Sequence, residues 1–125
     1  MEEIVVEALG EEGFKPLIAA FYRRVREDDL VGRMYPGDDW EGAEKRLLDF
    51  MDFRFGVSQR YILERGHPRL RMRHAPFKIG EAERDRWLEM MTEAMDETGL
   101  SGEPRKHLEG FFFQVADFMR NQPST

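Results

Sequence analysis

From Phe14 the apolar residues fall at Phe14, Leu17, Ile18, Phe21, Tyr22 and Val25, the three- and four-residue step that lines one face of a helix. Pro16 stands near the start of this run, where its missing N–H is tolerated. Asp28, Asp29 and Gly32 predict a break, and Tyr35-Pro36-Gly37-Asp38-Asp39 a turn-like loop. A second run places Ala43, Leu47, Phe50 and Met51 on one face, with Asp49 and Arg54 among the polar positions around them; it predicts a helix ending near Gly56. Between Gly56 and Gly80 the period weakens, and Gly66-His67-Pro68 and Ala75-Pro76 predict short helical pieces joined by irregular chain. Trp87, Met90, Met91, Ala94 and Met95 form a third helical face, with Gly99 at its expected C-terminal cap. A fourth helix starts near Ser101, takes Pro104 early, and carries Leu108, Phe111, Phe112, Val115, Phe118 and Met119. No repeat, low-complexity stretch or β-hairpin pattern intervenes, so the chain reads as all-α.

Composition narrows this picture. A chain of 125 residues suits one compact domain over residues 1–125, and 41% hydrophobic residues can fill its core. The 35% charged residues and the lack of a long apolar run argue against membrane insertion. The N-terminus, MEEIVVEALG, lacks the basic stretch and longer apolar segment of a secretory signal, which makes cytoplasmic residence the default expectation. With no cysteine, disulfides, iron–sulfur clusters, thiolate zinc sites, cysteine nucleophiles and covalent c-type haem attachment are all excluded. The net charge of −6 disfavours nucleic acid as a general partner. Arg65, Arg69, Arg71 and Arg73 nevertheless crowd one stretch, where they can meet a small anion.

Three histidines are candidate metal ligands. His74 ranks first, because Leu70, Met72, Phe77 and Ile79 surround it with apolar side chains while arginines stand close in sequence. A haem needs that combination of imidazole for iron, apolar contacts for the porphyrin and cations for the propionates. His67, before Pro68, reads as a turn residue, and His107, beside Lys106 and near Glu109, as a helix-surface residue. Zinc lacks both paired histidines one turn apart and thiolates, and a di-iron centre lacks its two Glu-x-x-His motifs. Tyr22 lies on an apolar helix face, so its hydroxyl needs a buried partner, and Trp87 brings a donor-only indole. By periodicity alone these stripes fit an ordinary helical bundle equally well.

Phe21-Tyr22, Met34-Tyr35-Pro36, Gly42-Ala43-Glu44, the run from Arg65 through His74 to Phe77, and Trp87 together resemble the group II truncated haemoglobins over nearly the whole chain. That resemblance implies a two-over-two helical sandwich around haem b, with His74 bonded to iron. It implies a gas-binding side lined by Tyr22, Tyr35 and Trp87, with Ala43 where many larger globins carry a distal histidine. Leu47 and Phe50 would pack over the porphyrin, and Leu70, Phe77 and Ile79 beneath it. Arg46 and Arg73 are the leading propionate partners, with Tyr61 beside them. Two departures from the usual pattern stand out: Gly10-Glu11-Glu12-Gly13 has fewer paired glycines, and Arg54-Phe55-Gly56-Val57 has one glycine after the distal helix.

The implied function is reversible binding of O2, with CO and NO as further ligands, in which phenol and indole donors stabilise the polar bound state. The competing class is an enzyme that oxidises nitric oxide or uses peroxide. Repeated nitric oxide turnover would need an external reductase, since no flavin or nicotinamide module remains once the globin is accounted for. Efficient peroxidase action is disfavoured, because phenols with a pKa of about 10 are poor bases at neutral pH. A homodimer remains compatible with the sequence.

Overall fold

The run from Phe14 to Val25 is helical, as its period predicts, and buries seven of its twelve residues. In the computed structural model, residues 2–10, 12–35, 37, 39–56 and 78–122 are described. They form six helices and no strand: α1 (Glu2–Leu9), α2 (Phe14–Val25), α3 (Asp29–Gly32), α4 (Trp40–Arg54), α5 (Glu81–Glu97) and α6 (Gly102–Phe118). α2 packs on both α4 and α5, α5 on α6, α1 on α6, and α3 on α5. The pair α2/α4 thus lies over the pair α5/α6, with α2 and α5 as the main contact between them, which is the two-over-two sandwich. Phe14, Leu17, Ile18 and Phe21 of α2 meet Met51 of α4 and Met90, Met91 and Met95 of α5 in the fully buried core. Unbranched methionines suit such a place, because they fill irregular gaps between rigid rings.

The helix ends expected from Gly56 and Gly99 are found. α5 closes in a Schellman turn: Leu100 N–H donates to Met95 O at 3.0 Å and Gly99 N–H to Asp96 O at 3.2 Å. Gly99 takes φ 75°, a left-handed conformation that glycine adopts without steric cost. At the opposite end, Ile79 is clamped by Asn121: Ile79 N–H donates to Asn121 Oδ1 at 2.8 Å, and Asn121 N–H donates back to Ile79 O at 2.8 Å. Arg84 of α5 reaches Asp117 of α6 at 2.7 Å beside this clamp. Among the described residues no helix is long and apolar enough to cross a membrane.

Several details differ from the pattern-based expectations. The N-terminal stretch is a helix, α1, too short for its period to announce it; Val5 is buried and Val6 and Leu9 pack on the core. The break at Asp28 to Gly32 is itself a helical turn, because the Asp28 carboxylate accepts from Val31 N–H at 2.8 Å and caps α3. Gly32 is required there: a Cβ at this position would lie 2.5 Å from the Val25 carbonyl oxygen. Asp49, expected among polar surface positions, is buried and paired with Lys45 one turn earlier at 2.7 Å. Phe118, expected on the apolar face of α6, is 61% exposed. It lies about 80° round the helix from Leu108 at 100° per residue, off the arc that Phe112 and Met119 bury. Ser101 precedes α6 as expected, but its side chain makes no capping bond.

Candidate functional site

Because α2 is buried on several sides, its one phenol is carried inside with its apolar neighbours. Tyr22 is 3% exposed, and its ring meets Phe21 edge-on at 5.1 Å. Tyr35 arrives from the turn after α3, held by its N–H to Gly32 O at 3.1 Å. Trp87 arrives from the first half of α5, its ring 4.9 Å from Phe21 and 5.6 Å from Phe112 of α6. The three aromatics converge, with the Tyr22 and Tyr35 rings 5.6 Å apart and nearly perpendicular. The structure therefore brings together all three residues expected on the gas-binding side.

The Tyr22 hydroxyl and the Trp87 indole N–H both lie close enough to the Tyr35 hydroxyl to act on its ionisation. Burial pushes Tyr22 well above the ordinary tyrosine value, reinforced by the nearby Tyr35. Burial also raises Tyr35, although the polar groups of Tyr22 and Trp87 near its hydroxyl favour its ionised form and oppose the rise. Both phenols therefore keep their protons at neutral pH.

The wall beside this cluster is α4. Ala43 and Phe50 are buried, and half-buried Leu47 packs on the same core. Ala43 and Leu47 share one helix face at four-residue spacing, with Phe50 three residues further. Arg46 lies within electrostatic reach of both phenols and pairs with Asp39 at 3.1 Å, leaving its side chain 38% exposed. Trp40, the first residue of α4, was not singled out by pattern. It packs on the cluster, 5.4 Å from the Tyr35 ring and 6.4 Å from Tyr22, with the Arg26 guanidinium over its own ring, 5.8 Å from the centroid. Its signal in the sequence was only proximity to Tyr35. Ile79 is buried at the end held by Asn121. His107, expected on a helix surface, is half-buried with its ring 6.4 Å from Phe55. Tyr61, Leu70, Arg73, His74 and Phe77 lie outside the described residues.

The described side of the site suits one face of a haem. A porphyrin needs apolar contact, which the α4 face offers, and a polar ligand bound to its metal needs donors, which the aromatic cluster offers.

Comparison with known proteins agrees with this chemistry. A family model for bacterial-like globins matches residues 5–121. The group 2 truncated hemoglobin YjbI of Bacillus subtilis is 41% identical over 116 residues, 93% of this chain and 87% of that protein. The two-on-two hemoglobin-3 of Arabidopsis thaliana is 29% identical over 121 residues, 94% of this chain and 69% of that one. The crystal structure of a thermostable hemoglobin from Thermobifida fusca superposes with a TM-score of 0.90 at 41% identity, covering 96% of this chain and 98% of that chain. That of the group II truncated hemoglobin from Bacillus anthracis gives a TM-score of 0.90 at 31% identity, with coverage of 96% and 98%. Sequence, fold and the aromatic cluster lead to one conclusion: the chain belongs to the group II truncated haemoglobins, a family of haem globins within the bacterial-like globins.

Proposed function

We propose that this protein holds haem b through His74 and binds a diatomic gas reversibly, O2 foremost, on the side faced by Tyr22, Tyr35 and Trp87. The observation that carries the reading is the convergence of Tyr22, Tyr35 and Trp87, three side chains with N–H or O–H donors, beside an apolar helix face. When bound, the haem supplies an iron that takes the gas. Ala43, Leu47 and Phe50 would pack on one face of the porphyrin, and Leu70, Phe77 and Ile79 on the other. Arg46, Arg73 and Tyr61 would meet the propionates, for which Arg46 exchanges or shares its exposed Asp39 partner.

The chain's own part is to hold protons where the bound gas is polar. Tyr22, Tyr35 and Trp87 each bring one O–H or N–H proton to that side. A donor fixed in place by its neighbours pays little to reorganise when the ligand arrives. Reversible binding is favoured over peroxide chemistry by the same cluster. Its phenols are pushed further from neutrality, so they do not serve as the base that peroxide activation needs.

The test is an absorption spectrum of the haem-loaded protein, oxidised, reduced and CO-bound, beside His74→Ala. A histidine-ligated CO spectrum that disappears in the variant supports His74; a wild type with no defined haem spectrum overturns the reading. O2 release from Tyr35→Phe and Trp87→Phe should be roughly ten- to a hundredfold faster, the range that hydrogen bonds to a strongly polarised group correspond to. Unchanged release in both variants and in Tyr22→Phe would remove the donor roles.

A further inference from the structure

Tyr35 and Trp87, whose polar groups act on one another, stand on two packed elements: Tyr35 on the turn after α3 and Trp87 on the helix α5. One ion pair ties those elements together beside it. The Asp28 carboxylate, whose side chain is 10% exposed, uses one oxygen to cap α3 through Val31 N–H at 2.8 Å. Its other oxygen accepts from Arg86 Nε at 2.6 Å. Arg86 is the residue before Trp87. From Asp28 an unbroken series of backbone bonds leads to Tyr35: Gly32 N–H to Asp28 O at 3.0 Å, Met34 N–H to Val31 O at 3.0 Å, and Tyr35 N–H to Gly32 O at 3.1 Å. Asp28 is thus fixed to Tyr35 through the backbone, and Arg86 stands next to Trp87.

We infer that the Asp28–Arg86 pair is a strut that sets the separation of Tyr35 and Trp87, making both its members positioning residues for gas retention. Both act on the aromatic cluster through the backbone on either side. The other charges near the strut do not replace it. Glu89 meets Arg86 at 2.6 Å from within α5, and its side chain is 61% exposed. Arg33 and Glu83 bridge α3 and α5 only at 3.9 Å, with the Arg33 side chain 66% exposed. A charge-assisted bond between partly buried groups is the strong kind, and it holds geometry as well as energy.

This inference rests on the donor reading above, and its test separates the two. O2 release and the C–O stretch of the CO complex are measured on haem-loaded wild type, Arg86→Ala, Asp28→Asn, Trp87→Phe and the double variant Arg86→Ala/Trp87→Phe. Asparagine keeps an α3 cap and removes only the charge that Arg86 meets. Arg86→Ala and Asp28→Asn should each release O2 about three- to tenfold faster, the fold-change of one hydrogen bond of ordinary strength. The C–O stretch should move towards that of Trp87→Phe, a readout that general destabilisation leaves alone. In the double variant, the Arg86 change should add nothing to the Trp87 change. Arg86→Lys, which keeps the charge, should recover part of the retention. A fast Trp87→Phe with an unchanged Arg86→Ala overturns the strut alone, as does an undiminished Arg86 effect in the double variant. A silent Trp87→Phe overturns the donor reading and the strut with it.

Discussion

Two helices of this protein look alike in sequence and behave differently in the fold. α2 and α6 both carry apolar residues at helical spacing, yet α2 buries seven of twelve residues while α6 buries three of seventeen. The cause is neighbours rather than composition. α2 has α4 on one side and α5 on another, so even its tyrosine is enclosed, whereas α6 packs on α5 and α1 and keeps Phe113 and Phe118 largely exposed. A buried phenol needs a polar partner, and that need accounts for the cluster with Tyr35 and Trp87. The helix with the most crowded surroundings is therefore the one that brings a polar group to the site.

The contrast is broken most directly at the core. Phe21→Ala removes a fully buried ring that touches both Tyr22 and Trp87 and should cost about 3–5 kcal/mol in denaturant unfolding of the haem-loaded protein. Phe112→Ala on α6 should fall in the same range of about 3–5 kcal/mol, because that ring is 2% exposed and packs on Trp87. If Phe112→Ala costs under about 1 kcal/mol, burial at the Trp87 contact does not unite the two helices as described.

Alkaline pH probes the enclosed phenols next. Tyr22 and Tyr35 hold their protons more tightly folded than unfolded. That stabilisation is fully present below about pH 10, the ordinary tyrosine value. As pH rises beyond it the unfolded chain ionises first, so stability falls, by up to about 1.4 kcal/mol per pH unit for each such tyrosine. Tyr22→Phe should lessen the slope measured by unfolding above about pH 10; an equally steep loss in the variant contradicts the enclosed hydroxyl. The smallest effect belongs to Phe118→Ala, expected within about 0.5 kcal/mol of wild type because the ring is 61% exposed. A loss near that of Phe112→Ala would mean that α6 is covered on that side.

Much of this arrangement follows from local pattern. The apolar runs identify α2, α4, α5 and α6, and Gly99 marks a turn that the backbone completes with both expected bonds. The resemblance in the residues singled out Tyr22, Tyr35 and Trp87, which the fold does bring together. Trp40 was missed because periodicity describes faces of one helix and gives no sign of which loop will lie beside that helix. Asp49 was misplaced for a related reason: a charged residue beside an apolar face reads as rim until a neighbouring lysine and the packing above it are known.

The sequence by itself determined the four longer helices, the absence of any cysteine chemistry and the residue types of the candidate site, because these depend on spacing and side-chain chemistry within a few residues. Tertiary structure alone decided which donor meets which acceptor. That Tyr35 meets Tyr22 and comes within reach of Trp87, and that Asp28 reaches Arg86 across 58 positions of chain, depends on how α3 docks against α5. Hydrogen bonds act over about 3 Å, so their partners are settled only when packing has fixed the distances between elements.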